Sequence, residues 1–282
     1  MVAHRALTPA ITRRTMLAAA AATWVAGPAF AGDDRFALTG QPTQGGWLRG
    51  RVPAGTTALR LDGKPLAFAA DGVFLIGFDR DAAPAAMLGA DSPGGTVQQV
   101  LAIAPRPWPI EHVDLPMHPP GMPDAEFARR RTAELARIAA ARAQDSHAQG
   151  WRQAMIRPAH GALSGRFGAQ RVFRGVPAAY HAGMDIAAPA GSAMVAPADG
   201  VVVLAAVADL FTLEGHLVII DHGMGLNSAM LHARRLVVNE GTVLRQGQTI
   251  GEVGMTGRAT GPHLHWALTW HGRRLDPMLF TA

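Results

Sequence analysis

The chain has 282 residues, 49% of them hydrophobic, with 32 glycines, 20 prolines and no cysteine, which suits two turn-rich β domains better than a helical bundle. Without cysteine, disulfides and cysteine-ligated structural metal sites are excluded. The formal charge of +5 falls to +2 once Arg5, Arg13 and Arg14 near the N-terminus are set aside, too small a surplus to argue for a nucleic-acid partner.

In chain order, Arg13-Arg14 precedes an apolar run from Met16 to Ala26 and the small-residue stretch Ala29-Phe30-Ala31. These are the charged, apolar and cleavage-site parts of a secretory signal over residues 1–31, cut after Ala31. Thr12 to Leu17 resembles a twin-arginine export signal, with Met16 where Phe is usual. The apolar run is short of the ~20 residues a membrane span needs, so an exported protein with no span after signal removal is expected. The periplasm of a Gram-negative bacterium is the compartment that fits.

Residues 32–110 predict a small all-β, sandwich-like domain. Apolar runs at Ala58 to Leu61, Gly72 to Phe78 and Val97 to Ile103 alternate with Asp-Gly, Gly-Lys-Pro and Ser-Pro-Gly-Gly turn signals. Residues 111–150 predict a connection. Seven prolines between Pro105 and Pro123 point to a linker without regular structure. Asp124 to Gln149 reads as a helix capped by Asp124, with a stripe of Phe127, Leu135 and Ile138, and closed by Gly150. Arg129-Arg130-Arg131 reads as a solvated face of that helix.

Residues 151–282 predict an antiparallel β domain, with strands at Gly200 to Val207, His216 to Asp221, Asn227 to His232, Gln248 to Val253 and His263 to Trp270. In the last of these, Leu264, Trp266, Leu268 and Trp270 alternate with His263, His265, Ala267 and Thr269, so both imidazoles face one side. His181 and Asp185, spaced H-x-x-x-D, join them together with His232. Catalytic zinc usually takes three protein ligands and keeps a position for water. One aspartate and two histidines supply that number, and two histidines remain for proton chemistry.

The segments Tyr180 to Asp185, Val218 to Gly223 and Thr256 to His265 resemble the signature blocks of the lysostaphin-type (LytM-like) zinc metallopeptidases, in that family's order and spacing, over roughly Ala159 to Leu279. The resemblance implies that His181, Asp185 and His265 ligate one Zn²⁺ per chain and that His263 and His232 are the non-ligand catalytic histidines. It also implies the antiparallel β core and cleavage of peptide bonds in peptidoglycan. The chain departs from many members at Met230, two residues before His232, where they have a tyrosine.

The expected mechanism is attack by a zinc-activated water, with His263 and His232 orienting it and moving its proton. There is no H-E-x-x-H helix. His222 reads as a turn residue, and His160, His216 and His271 as surface or supporting groups, with His216 or His222 a candidate partner for a ligand's other ring nitrogen. The expected substrate is a peptidoglycan stem peptide, bound along a groove walled by the Arg166 to Tyr180 loop and Gly257 to Pro262. The alternative is a non-catalytic peptidoglycan-binding protein or amidase activator of the same fold. The sequence names no particular amidase or divisome partner, and leaves the bond cleaved, the oligomeric state and the role of the N-terminal β domain open.

Overall fold

A computed structural model describes residues 36–114 and 122–281, and these described residues belong to one compact unit. The expected export signal lies outside the described residues. No helix among the described residues is long and apolar enough to cross a membrane. The architecture is mainly β and antiparallel, as the sequence predicts.

The N-terminal part contains β1 (Ala37–Gln41), β2 (Trp47–Arg51), β3 (Ala58–Leu61), β4 (Lys64–Leu66), β5 (Val73–Gly77), β6 (Ala85–Ser92) and β7 (Gly95–Ala102). They form two sheets, in the orders β1-β2-β5 and β4-β3-β6-β7. Period-two alternation sorts their side chains: Leu59 and Leu61 are buried on either side of exposed Arg60, and Ala86, Leu88 and Ala90 alternate along β6. These apolar faces join one continuous core with Met184, Trp266 and Leu275 of the C-terminal part.

After β8 (Ile110–Val113) and α1 (Asp124–Arg142) come β9 (Ala162–Gly165), β10 (Gln170–Phe173), β11 (Val176–Pro177), β12 (Met184–Ala187), β13 (Ala193–Val195), β14 (Gly200–Ala205) and β15 (His216–Asp221). The chain closes with β16 (Leu226–Ala233), β17 (Arg235–Leu236), β18 (Val243–Leu244), β19 (Thr249–Glu252), β20 (His263–Trp270) and β21 (Arg273–Leu275). The main sheet runs β18-β14-β15-β16-β20-β12-β9, with β21 beside β20. Both its faces are covered. Val218 and Ile220 of β15 join the large core, whereas Leu217 and Ile219 meet Ile138 and Ala141 of α1 on the other face.

α1 differs from its expected form in three ways. Pro123 occupies the N-cap without a side-chain cap, and Asp124 is the first helical residue. The helix stops at Arg142 rather than near Gln149 because the Asp221 carboxylate accepts hydrogen bonds from Ser146 N and Oγ, at 2.8 and 2.6 Å, drawing the chain onto β15. The buried face is Glu134, Ile138 and Ala141, and Leu135 is exposed. Glu134 is held inward by Thr212 N at 2.6 Å, and this polar anchor sets the rotation of the helix. Arg131 belongs to the same inward face, binding Glu134 and Glu214, so the arginine run is not simply a solvated surface.

The proline-rich connection also contains regular structure. β8 pairs in parallel with β10, Ile110 opposite Gln170 through Val113 opposite Phe173. Its four residues carry no proline and it lies at the edge of its small sheet, where flanking prolines are tolerated. The preceding residues are pinned as well. Trp108 meets Phe167 edge-on at 5.8 Å, and the Arg106 guanidinium reaches Asp276 Oδ2 at 2.7 Å. Trp47 Nε1 donates to the Leu279 carbonyl at 2.6 Å.

Asp276, almost fully buried, also accepts from Met278 N at 3.0 Å. Asp276→Ala is expected to cost about 2–3 kcal/mol, held below the value for a fully buried pair by the partial exposure of Arg106. Urea unfolding of the wild type should show a single transition and the variant a lower midpoint.

Candidate active site

His181 arrives on the loop before β12, Asp185 is the second residue of β12, and His265 is the third of β20. Antiparallel pairing sets Asp185 directly opposite His265, so the strand register builds half of the site. His181 Nε2 lies 3.0 Å from Asp185 Oδ1 and 2.9 Å from His265 Nδ1, and His265 Nδ1 lies 2.8 Å from Asp185 Oδ1. This triangle is slightly tighter than the roughly 3.3 Å between neighbouring ligands of a tetrahedral zinc. All three side chains are buried, and among the described residues no fourth donor joins the group.

Close backbone approach makes room for it. A Cβ at Gly165 would strike Asp185 Oδ2 and the His181 ring, and one at Gly183 would strike His265 Nε2 and the Trp266 carbonyl. His181 Nδ1 lies 3.0 Å from the Arg166 carbonyl. A carbonyl only accepts, so this nitrogen donates and Nε2 presents its lone pair to the group. The donor set and its orientation fit a divalent metal ion of the zinc type.

His232 and His263 stand beside this group with ring centres 4.8 Å apart, and His232 is 6.3 Å from His265. His232 Nδ1 donates to the Thr256 carbonyl and His263 Nδ1 to the Gly261 carbonyl, both at 2.8 Å. Their Nε2 atoms are the free acceptors, and that of His263 lies 3.9 Å from Asp185 Oδ1. His232 occupies left-handed backbone, φ 66°, a conformation costly for a non-glycine residue. It is held there by its N–H on the Glu214 carbonyl at 2.8 Å. The Glu214 carboxylate is in turn gripped by both terminal nitrogens of Arg131 at 2.7 Å.

All five residues singled out in the sequence therefore come together, lining a groove of about 990 Å³. The expected walls contribute Arg171, Phe173, Ala178 to Tyr180 and Arg258 to Pro262, and β8 adds Glu111 and His112. The supporting partners are backbone carbonyls, not His216 or His222. His216 binds the Ala206 carbonyl and His222 bridges the Asp199 carbonyl and Ser228 Oγ. Tyr180 does not stand in for the tyrosine absent at Met230. Its hydroxyl donates to Asp79 Oδ1 at 3.1 Å, and burial beside Asp79 pushes its pKa up to about 12. Arg171 and Glu214 escaped the sequence reading, and Arg131 read as solvated, because Asp185 lies 14 residues from Arg171 and Glu214 lies 83 from Arg131.

Burial would raise the Asp185 pKa, but the close contacts with His181 and His265 outweigh it and hold the carboxyl well below its usual range. Burial lowers His232 to about 3 and His265 to about 4, with repulsion among the imidazoles adding to both, and burial lowers His222 as well.

Residues 179–277 match the profile described as Peptidase family M23. The peptidoglycan DD-endopeptidase ShyA of Vibrio cholerae is 39% identical over 98 residues, 35% of this chain and 22% of that protein. The DD-carboxypeptidase/endopeptidase Mpg of Neisseria meningitidis gives the same figures. A lipoprotein NlpD/LppB homolog of Pseudomonas aeruginosa is 36% identical over 123 residues, 44% of this chain and 38% of that one. The chain thus spans about a fifth of the length of the first two relatives. A Pseudomonas aeruginosa crystal structure described as a peptidase M23 superposes with a TM-score of 0.63 and 28% identity, covering 85% of this chain and 94% of that one. That likeness is too long to be confined to the matched segment, so it takes in N-terminal strands as well.

The depressed imidazoles fix the sign of an acid effect. The unfolded chain takes up protons below about pH 6.5, whereas these histidines stay neutral in the fold, so acid favours unfolding. Asp185 acts in the same direction, since its contribution is lost as pH falls through its lowered pKa. Chelator-treated protein should lose stability steadily between pH 6.5 and pH 4.5, read as a falling urea midpoint. A flat profile would contradict the neutral, buried assignment.

Proposed function

We propose that this chain, which carries a domain of peptidase family M23 at residues 179–277, is a zinc-dependent endopeptidase that hydrolyses peptide cross-links of bacterial peptidoglycan. The observation that carries this reading is the convergence of His181 Nε2, Asp185 Oδ1 and His265 Nδ1 beside two imidazoles with free Nε2 atoms. His181, Asp185 and His265 would hold one Zn²⁺. Bound there, zinc supplies Lewis acidity that polarises a carbonyl and brings the pKa of a coordinated water to about 7.

The remaining work falls to the chain's own groups. Because Nδ1 of His232 and of His263 is committed to a backbone carbonyl, each ring accepts and returns a proton through Nε2 alone. The pair can therefore take a proton from the attacking water on one side and deliver one to the departing amine on the other. Their main-chain anchors hold both rings in place without a side-chain partner. The volume of the groove, about 990 Å³, is enough for a peptide segment.

The relatives named as DD-endopeptidases support cross-linked stem peptides as substrate, with the D-alanyl to diaminopimelyl bond as the point of cleavage in a Gram-negative wall. An export signal over residues 1–31 and a wall substrate would both suit a periplasmic protein. A non-catalytic wall-binding or amidase-activating role is the competing reading; the presence of all five site residues in working geometry favours the enzyme.

The test is digestion of purified sacculi by zinc-loaded protein beginning at Gly32, followed by muropeptide analysis. Cross-linked dimers should fall and monomers rise, and neither change should occur with His265→Ala or after chelation. His232→Ala and His263→Ala should each retain zinc and lose about 10²–10⁴ in rate. Unchanged sacculi with zinc fully bound would establish the non-catalytic role instead.

A further inference from the structure

Asp185 turns one oxygen toward the imidazoles and the other away. Oδ1 meets His181 Nε2 and His265 Nδ1, while Oδ2 accepts from Arg171 Nη2 at 2.9 Å. Arg171 lies on β10, outside the segment that matches the family profile. Its own placement is set from the far side. β8 pairs with β10 so that Glu111 stands opposite Arg171, with Glu111 Oε2 3.5 Å from Arg171 Nε. A Cβ at Gly165 would collide with Oδ2, so that oxygen is confined between a glycine backbone and a guanidinium.

We propose that Arg171 is a positioning residue for the metal centre: by engaging Asp185 Oδ2 it fixes the carboxylate rotamer and leaves Oδ1 as the single oxygen offered to the ion. This inference rests on the reading of His181, Asp185 and His265 as zinc ligands. A carboxylate pivots about its Cβ–Cγ bond and binds metal through one oxygen or both. Holding Oδ2 by a directional hydrogen bond removes that freedom before the ion arrives. It is also the kind of outer contact that tunes metal affinity.

Two physical effects of Arg171 have opposite signs, which makes the proposal decidable. As a bare positive charge near the site, Arg171 repels a divalent cation, so its removal would tighten binding. As a positioning group, it preorganises a ligand, so its removal would weaken binding. A planar guanidinium that donates from Nη2 to Asp185 while its Nε faces the Glu111 carboxylate at 3.5 Å suits the second role, whereas lysine keeps the charge and lacks the fork.

The experiment measures zinc affinity by competition with a chromophoric chelator for wild type, Arg171→Ala and Arg171→Lys, with folding checked by thermal unfolding. Arg171→Ala is expected to bind zinc about 10–100-fold more weakly, and Arg171→Lys to fall between the two despite its conserved charge. Unchanged or tighter binding in Arg171→Ala, or wild-type affinity in Arg171→Lys, would overturn the proposal. If Arg171→Ala does not fold, Arg171→Lys decides alone, because it preserves charge and most of the side-chain volume. Failure of the wild type itself to bind zinc would overturn the ligand assignment on which the inference rests, a result distinct from any difference among the variants.

Discussion

The site depends on three hydrogen bonds from imidazole Nδ1 to main-chain carbonyls: His181 to Arg166, His232 to Thr256 and His263 to Gly261. Each is an ordinary neutral contact worth about 1 kcal/mol, yet each decides a chemical identity. A ring whose Nδ1 must donate has only Nε2 left as a base or ligand. Because the partners are backbone groups of loops anchored by the sheet, tautomer and ring orientation follow from the fold itself. No neighbouring carboxylate is needed for that purpose, which leaves Asp185 to face the imidazoles directly.

Segments far apart along the chain converge on this arrangement. The family-matched stretch carries the five polar residues, but α1 grips Glu214, whose carbonyl holds the left-handed His232, through Arg131. β8 likewise reaches toward Asp185 by way of Arg171. The N-terminal strands are bound to the same body by Arg106 with Asp276 and Trp47 with Leu279. Within the proline-rich connection, Glu111 to Asp114 are thus part of the groove wall.

What was legible in the sequence had a period or a short spacing. The two-residue alternation in His263 to Trp270 fixed which histidines share a face, and β15 and β20 fall where the pattern placed them. The helix illustrates the limit. Its apolar stripe suggested Leu135 inward and an end near Gln149, but a buried Glu134 turned the stripe and the Asp221 carboxylate drew Ser146 off the axis. Both causes are side-chain contacts across 75 or more residues, and no local pattern records them. Arg171 was hidden for a related reason: an arginine in a predicted loop carries no mark of the carboxylate it will find.

The neighbour relation between β12 and β20 has a kinetic side. His181 and Asp185 meet His265 only when strands some 80 residues apart in sequence have paired, and closing so long a loop loses chain entropy before any contact compensates it. Chains dominated by such distant pairings fold slowly. The ligand triangle therefore waits on that distant pairing, whereas β15 and β16 are joined by only four residues. An ion held by these three residues would be a guest of a nearly finished sheet, not a nucleus around which the chain first gathers.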